Sequence, residues 1–573
     1  MHQHIIATCH RALAATLALG LSACSGTPPA SSSATSPPSP SPAAVAPTVI
    51  TPPFTEAAFR SHVERLASDE FEGRAPGSAG EKKTLAYIEQ QFRAAGLHPG
   101  IGDSFLQPVP LVEITTHADP TLEVKGKRGT LSLRFGDDMV VWTKRPVPES
   151  RIENAELVFA GYGIVAPEYQ WNDYAGINMH GKIAVVLVND PGFATQDPKL
   201  FNGNTMTYYG RWTYKFEEAV RQGAAGLLVV HETKAAAYPW GVVRNGALKP
   251  QFDLRLADYE HQRLAIEGWL TTPAAEQVLA FAGQDFGALQ RAAATHEFRA
   301  RPLGITASVC VRNDVRYADS YNVVGVLRGS QRPDEDFVYT AHWDHLGKTA
   351  NAKPGEDAIF NGASDNATGI AALIELGRVF AATQPRPQRS LMFVAVTAEE
   401  SGLLGSEYFA AHPPVPVRNM VGGLNMDNLY AIGKTRDLTV IGLGASELDD
   451  YLRRAAATQG RVLVQEPTPE KGFYYRSDHF NLAKQGVPML YTKAGIDSLE
   501  HGPGYGKAWL DDYIAHRYHQ PSDEYDPSWD VSGIMQDLAV YYAVGLALAN
   551  EDTWPNWREG NEFKAIRDKS RAH

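Results

Sequence analysis

Phe337-Val338-Tyr339-Thr340-Ala341-His342-Trp343-Asp344-His345 is an apolar strand that runs into imidazoles and a carboxylate. The pattern recurs downstream. Leu391-Met392-Phe393-Val394-Ala395-Val396 is a second, fully apolar strand, and it leads to Ala398-Glu399-Glu400-Ser401-Gly402. Met489-Leu490-Tyr491 reads as another strand. Between them, Ile370, Leu373, Ile374 and Gly377 have helical spacing, directly after Asn361-Gly362-Ala363-Ser364-Asp365-Asn366. Apolar runs without alternation suit a sheet covered on both faces. In such sheets, sites form beyond the carboxyl ends of the strands. The chain therefore reads as α/β, with a mixed, mostly parallel central sheet flanked by helices.

Two further segments, Asn425-Met426-Asp427-Asn428 and Tyr518-His519-Gln520-Pro521-Ser522-Asp523, complete the series. Together the segments offer imidazoles, carboxylates and a spare glutamate, the inventory of a two-metal hydrolase site with its own base. Two metals about 3.5–4 Å apart need a bridging ligand. A carboxylate can bridge, whereas a neutral imidazole cannot. Asp365, in a loop of small residues, is the expected bridge. His342 and Asp427 would complete one metal, Glu400 and His519 the other. Asp344, two residues past His342, is expected to hold the second ring nitrogen and fix the tautomer. Glu399 is expected to act as the base that takes a proton from the attacking water. Taken singly, each segment has a blander reading: a surface His/Asp pair, an acidic helix start, or a capping turn. The metal reading rests on all of them occurring in order within one domain-sized segment.

These motifs resemble those of the M28 family of metallopeptidases, the co-catalytic zinc aminopeptidases. Ala398-Glu399-Glu400-Ser401-Gly402-Leu403-Leu404-Gly405-Ser406 is similar to the family's glutamate pair and the turn after it. Leu66-Ala67-Ser68-Asp69-Glu70-Phe71-Glu72-Gly73-Arg74 and Pro76-Gly77-Ser78-Ala79-Gly80-Glu81 resemble the opening of many bacterial members. The resemblance implies two Zn2+ ions on His342, Asp365, Glu400, Asp427 and His519, with Glu399 as base and peptides with a free N-terminus as substrates. It covers nearly all of the chain after its leader.

Charged residues make up 21% and apolar residues 44% of the 573, ordinary for a globular enzyme. The net charge of -12 gives no basic footprint for nucleic acid. Residues 1–23 read as an export signal, with an apolar run too short to span a bilayer. The run ends in Leu21-Ser22-Ala23-Cys24, which resembles a bacterial lipoprotein box. Cys24 is thus the expected lipid anchor, on the periplasmic face of the outer membrane. Residues 24–53, rich in Pro, Ser and Ala, read as a tether. Of the 3 cysteines, Cys9 leaves with the leader and Cys24 carries lipid. Cys310 is then left with no disulfide partner.

The expected organisation is an N-terminal part of the catalytic domain at 54–150, an insert at 151–300 and the peptidase domain at 301–573. The insert, with Gly181-Lys182-Ile183-Ala184-Val185-Val186-Leu187 and Gly223-Ala224-Ala225-Gly226-Leu227-Leu228-Val229-Val230, resembles the protease-associated domain often found in this family. Gly161-Tyr162-Gly163 lacks the third glycine of a nucleotide loop. Three alternatives stand beside the aminopeptidase. One is a carboxypeptidase of the same family, which needs a cation for the terminal carboxylate, Arg476 being available. Another is a glutaminyl cyclase-like enzyme with one zinc. The last is an inactive lipid-tethered peptide-binding protein.

Overall fold

The computed structural model describes residues 53–117, 120–247, 249–349, 352–353 and 355–572. The expected export signal and the anchor at Cys24 lie outside the described residues.

Two amphipathic helices open the described chain. In Glu56–Leu66, the Thr55 hydroxyl accepts the Ala58 N–H, and Phe59, Val63 and Leu66 are buried. In Ala79–Ala95, Ser78 caps the start, Leu85, Ile88 and Phe92 are buried, and Gly96 ends it at φ 82°. In both helices the apolar residues recur every three or four positions and line the buried side.

At the centre, strand Arg332–His342 is parallel to Arg389–Val396 on one side and to Met420–Asn425 on the other. Met489–Ala494 continues the parallel set beside Met420–Asn425. These strands are buried along nearly their whole length, which explains their unbroken apolar sequences. Antiparallel strands extend the sheet past Arg389–Val396: the C-terminal half of the long strand Arg301–Leu327, then Leu106–Thr116. Helices Thr368–Ala382 and Ser532–Asn550 cover one face, with Phe380, Leu538, Tyr541 and Leu548 in the main core. Helix Ser532–Asn550 is long and apolar enough to cross a membrane, but it is mostly buried in this core.

A second sheet grows from the N-terminal half of Arg301–Leu327, which pairs with Glu149–Phe159 and Thr121–Gly126. Strands Ile183–Leu187, Gly226–His231 and Ile266–Thr271 run parallel beyond it. Its core joins Leu122, Val124, Leu133 and Met139 to Ile152, Leu157, Ile183 and Leu228. The expected boundary at residue 151 falls inside strand Glu149–Phe159, and strands from Thr121 onward pack with this second layer. Their alternating pattern marks them as strands without saying which core takes the apolar side.

The second layer touches the peptidase half through residues 204–217. Met206 N–H donates to Pro469 O at 3.2 Å, and Lys484 pairs with Glu217 at 3.0 Å. The Tyr208 ring lies 5.3 Å from that of Phe480 and 6.3 Å from that of Tyr475.

Candidate metal centre

Each expected ligand sits just past a carboxyl strand end or on a neighbouring loop. His342 closes strand Arg332–His342, Glu399 and Glu400 follow Arg389–Val396, and Asp427 follows Met420–Asn425. Asp365 lies in the loop that enters helix Thr368–Ala382, and His519 in the loop after helix Tyr505–His516.

The structure brings these side chains together around Asp365. Its Oδ1 lies 3.3 Å from His342 Nε2, and its Oδ2 lies 3.3 Å from His519 Nε2. On the first side, His342 Nε2 is also 3.5 Å from Asp427 Oδ1. On the second, His519 Nε2 is 3.0 Å from Glu400 Oε2. The carboxylate therefore presents one oxygen to each of two donor groups, as a bridging ligand must.

The donor set fits a pair of zinc ions: imidazole nitrogens and carboxylate oxygens, drawn from separate loops and largely buried. Donor atoms of His342, Asp365 and Asp427 lie within 4.8 Å of one another, as do those of His345, Asp365 and Glu400. His519 Nε2 is buried and close to two carboxylates, yet has no hydrogen-bond partner. That is the arrangement of donors gathered around a cation rather than bonded to each other. The His519 side chain is 34% exposed while those of His342 and Asp365 are 1% and 4% exposed, so the centre opens to solvent on the His519 side.

His345 was not among the expected site residues. Its Nδ1 is 2.7 Å from Glu400 Oε1, a hydrogen bond, and its Nε2 is buried without a partner. His519 reaches both Glu400 and the shared Asp365, so His345 serves better as the holder of the other Glu400 oxygen. Its place in the same short motif as His342 was the available signal.

Asp344 acts differently from expectation. His342 Nδ1 is met at 3.2 Å by the main-chain carbonyl of Asp344, while the carboxylate oxygen stays at 3.9 Å. The carboxylate instead accepts the N–H groups of Glu399 at 3.1 Å and Glu400 at 3.4 Å. It thus fixes the turn that carries the base and a ligand. Glu399 has no side-chain hydrogen bond or ion pair among the described residues. Burial, opposed by His342 and reinforced by Glu400 and Asp427, pushes its carboxyl well above the ordinary range.

Other supports come from far along the chain. Asp523 accepts the N–H groups of Ser364 at 3.2 Å and Asp365 at 3.1 Å. The Asn366 carboxamide donates to His342 O at 3.3 Å and Met426 O at 3.1 Å, and accepts from Asn428 N at 3.0 Å, tying three ligand loops together. Asp427 Oδ2 accepts from Ser477 Oγ at 2.5 Å and Tyr491 OH at 3.1 Å. Lys493 Nζ donates to the Asp427 carbonyl.

The electrostatics without metal follow from crowding. Burial opposes the charge on His519, but Glu400 and Asp365 raise its pKa to about 11. Burial likewise opposes the charge on Glu400, yet His519 and His345 lower its pKa to about 2. Metal binding must therefore displace protons from the imidazoles.

Asp478 and His479 sit close to the ligands in other roles. Asp478 accepts from Ser406 Oγ at 2.6 Å. His479 is buried between the rings of Tyr474 and Tyr491, at 4.6 and 4.7 Å. Burial lowers its pKa to about 3, which keeps it neutral.

Residues 322–543 match the model of Peptidase family M28. All seven expected site residues fall inside that stretch. A probable zinc metalloprotease of Leptosphaeria maculans is 35% identical over 217 residues, 36% of this chain and 47% of that protein. One from Pyricularia oryzae is 37% identical over 106 residues, 18% of this chain and 20% of its own length. The chain thus spans less than half the length of these relatives. A solved aminopeptidase from Aneurinibacillus sp. strain AM-1 is 20% identical, with a TM-score of 0.46, over 87% of this chain and 95% of that one.

Proposed function

We propose that this chain is a zinc-dependent aminopeptidase that removes N-terminal residues from peptides at a two-metal centre. The observation that carries the reading is the placement of the two Asp365 oxygens against His342 and His519. The match of residues 322–543 to a peptidase family supports the reaction class. His342, Asp365 and Asp427 would hold one zinc, and Asp365, Glu400 and His519 the other. Zinc, when bound, supplies a Lewis acid for the scissile carbonyl and lowers the pKa of water towards neutrality.

The chain's own residues do the rest. Glu399 takes a proton from the attacking water and passes it to the leaving amine. Asp344 holds the Glu399 N–H and so aims that carboxylate. His345 and Ser477 fix the outer oxygens of Glu400 and Asp427. Export and a lipid anchor at Cys24 are proposed on the leader's sequence alone. Cys24→Ala should release the protein from the membrane fraction, and continued membrane retention would remove the anchor.

One observation favours carboxypeptidase action as a second reading. Arg476 follows Tyr475, whose ring meets Tyr208 of the second layer, and precedes Ser477, which bonds Asp427. Arg211, just past Tyr208, has a buried Nε with no partner. Neither guanidinium forms an ion pair among the described residues, and both act on the Tyr238 hydroxyl. Two cations without ion pairs among the described residues, one of them next in sequence to Ser477, suit a substrate carboxylate. Aminoacyl-p-nitroanilides, assayed beside amino-blocked peptides with a free carboxyl, separate the readings. Cleavage of free-amine substrates alone establishes the aminopeptidase. Cleavage of amino-blocked peptides from the carboxyl end moves the assignment to the second reading.

A further inference from the structure

The motif Glu72-Gly73-Arg74 takes no part in the chemistry above, yet it is built into the back of the metal centre. All three residues have positive φ: 52° at Glu72, 65° at Gly73 and 52° at Arg74. Two of them are not glycine, so the conformation must be held by its surroundings. Glu72 pairs with Lys348 at 3.1 Å. A Cβ on Gly73 would come within 2.6 Å of Phe360 O and closer still to Gly347 O. Those carbonyls belong to the small hairpin Gly347–Lys348 and Ile359–Phe360, which joins the His342 loop to the Asp365 loop.

Arg74 is 1% exposed. Its guanidinium donates to Trp343 O at 2.9 Å, Asn361 O at 2.6 Å, Gly362 O at 2.9 Å and Leu66 O at 2.8 Å. One acceptor lies next to His342, and two lie within four residues of Asp365. The group makes no carboxylate ion pair among the described residues. Burial lowers its pKa to about 10, with Asp365, Asp523, Asp344 and Glu400 acting the other way.

We propose that Arg74 is a positioning residue for the metal centre: its four-carbonyl clamp sets the separation of His342 from the bridging Asp365. This rests on the two-metal reading. A planar fork with several donors can hold both loops at once, which a lysine ammonium cannot do in the same geometry. Displacing groups that orient metal ligands typically costs about 10–100-fold in metal affinity.

The test compares full-length wild type, Arg74→Lys and Gly73→Ala, the last leaving the guanidinium intact but displacing it. Zinc affinity is read by chelator competition, and the two-metal geometry by the absorption and EPR spectra of the dicobalt form. Both variants should bind zinc at least 10-fold more weakly, with an altered dicobalt spectrum and a fall in kcat at nearly constant KM. Wild-type affinity and an unchanged dicobalt spectrum in Arg74→Lys would overturn the proposal. If neither variant folds, hydrogen exchange of wild type with and without zinc decides. Metal should slow exchange across 72–77 together with 342–346 and 361–367, and unchanged exchange in 72–77 would overturn the clamp. Failure of wild type itself to bind two metals would sink the two-metal reading instead.

Discussion

Asp344 accepts the main-chain N–H of Glu399 on its carboxylate, at 3.1 Å. The acid that the sequence suggested as a partner for His342 therefore holds the base's turn with its side chain and the imidazole with its carbonyl. Asp344→Ala should leave the zinc content unchanged and lower kcat about 10–100-fold, because the Glu399 carboxylate loses its aim. Loss of metal in this variant would show that the carboxylate acts chiefly through the Glu400 N–H rather than that of Glu399.

Among the described residues the Glu399 side chain makes no hydrogen bond or ion pair that a glutamine would break. Glu399→Gln should retain both metals and the folded state while kcat falls about 10²–10⁴-fold. Metal content and turnover measured on one sample check this. Turnover within tenfold of wild type would take Glu399 out of the proton-transfer role.

Asp365 is the one ligand shared by both donor groups. Asp365→Ala should therefore strip both metals together, where His519→Ala should weaken only the site on its own side. Zinc titrations of the two variants distinguish the cases. Retention of a full-affinity zinc in Asp365→Ala would show that the two groups bind independently.

Asp336 tests the energetics of the sheet beneath the site. It is 1% exposed at the start of the buried run of strand Arg332–His342, and its Oδ2 has no hydrogen-bond partner. Burial first, and the Asp334 charge second, push its carboxyl from 3.8 up to about 7. Because the folded pKa is the higher one, the unfolded chain ionises first as pH rises. Stability is then lost between about pH 4 and 7 and stays lost above. Asp336→Asn removes this penalty. Melts with chelator present should show little difference near pH 4 and a gain on the order of 4 kcal/mol above pH 7. An equal difference at both ends would remove ionisation as the cause.

The fold was legible where local sequence decides the structure. The unbroken run Leu391 to Val396 reads as a covered strand, and the spacing of Phe59, Val63 and Leu66 puts them on one side of a helix. The ligands were legible because each sits at a strand end or in a short loop of small residues. What the sequence hid is contact between distant segments. Asp523 bonds the Asp365 loop across 158 residues, and Arg74 reaches Gly362 across 288. No periodicity encodes such pairs. The alternation of Thr121–Gly126 and Gly129–Arg134 likewise marked strands but not the core they join.

The central claim is that Asp365 bridges two metals. The most direct test is an anomalous difference map from crystals of zinc-loaded enzyme, collected at the zinc edge. The account predicts two peaks about 3.5–4 Å apart, one beside His342 and Asp427 and the other beside Glu400 and His519, with Asp365 between them. A single peak, or two peaks without Asp365 between them, would contradict it.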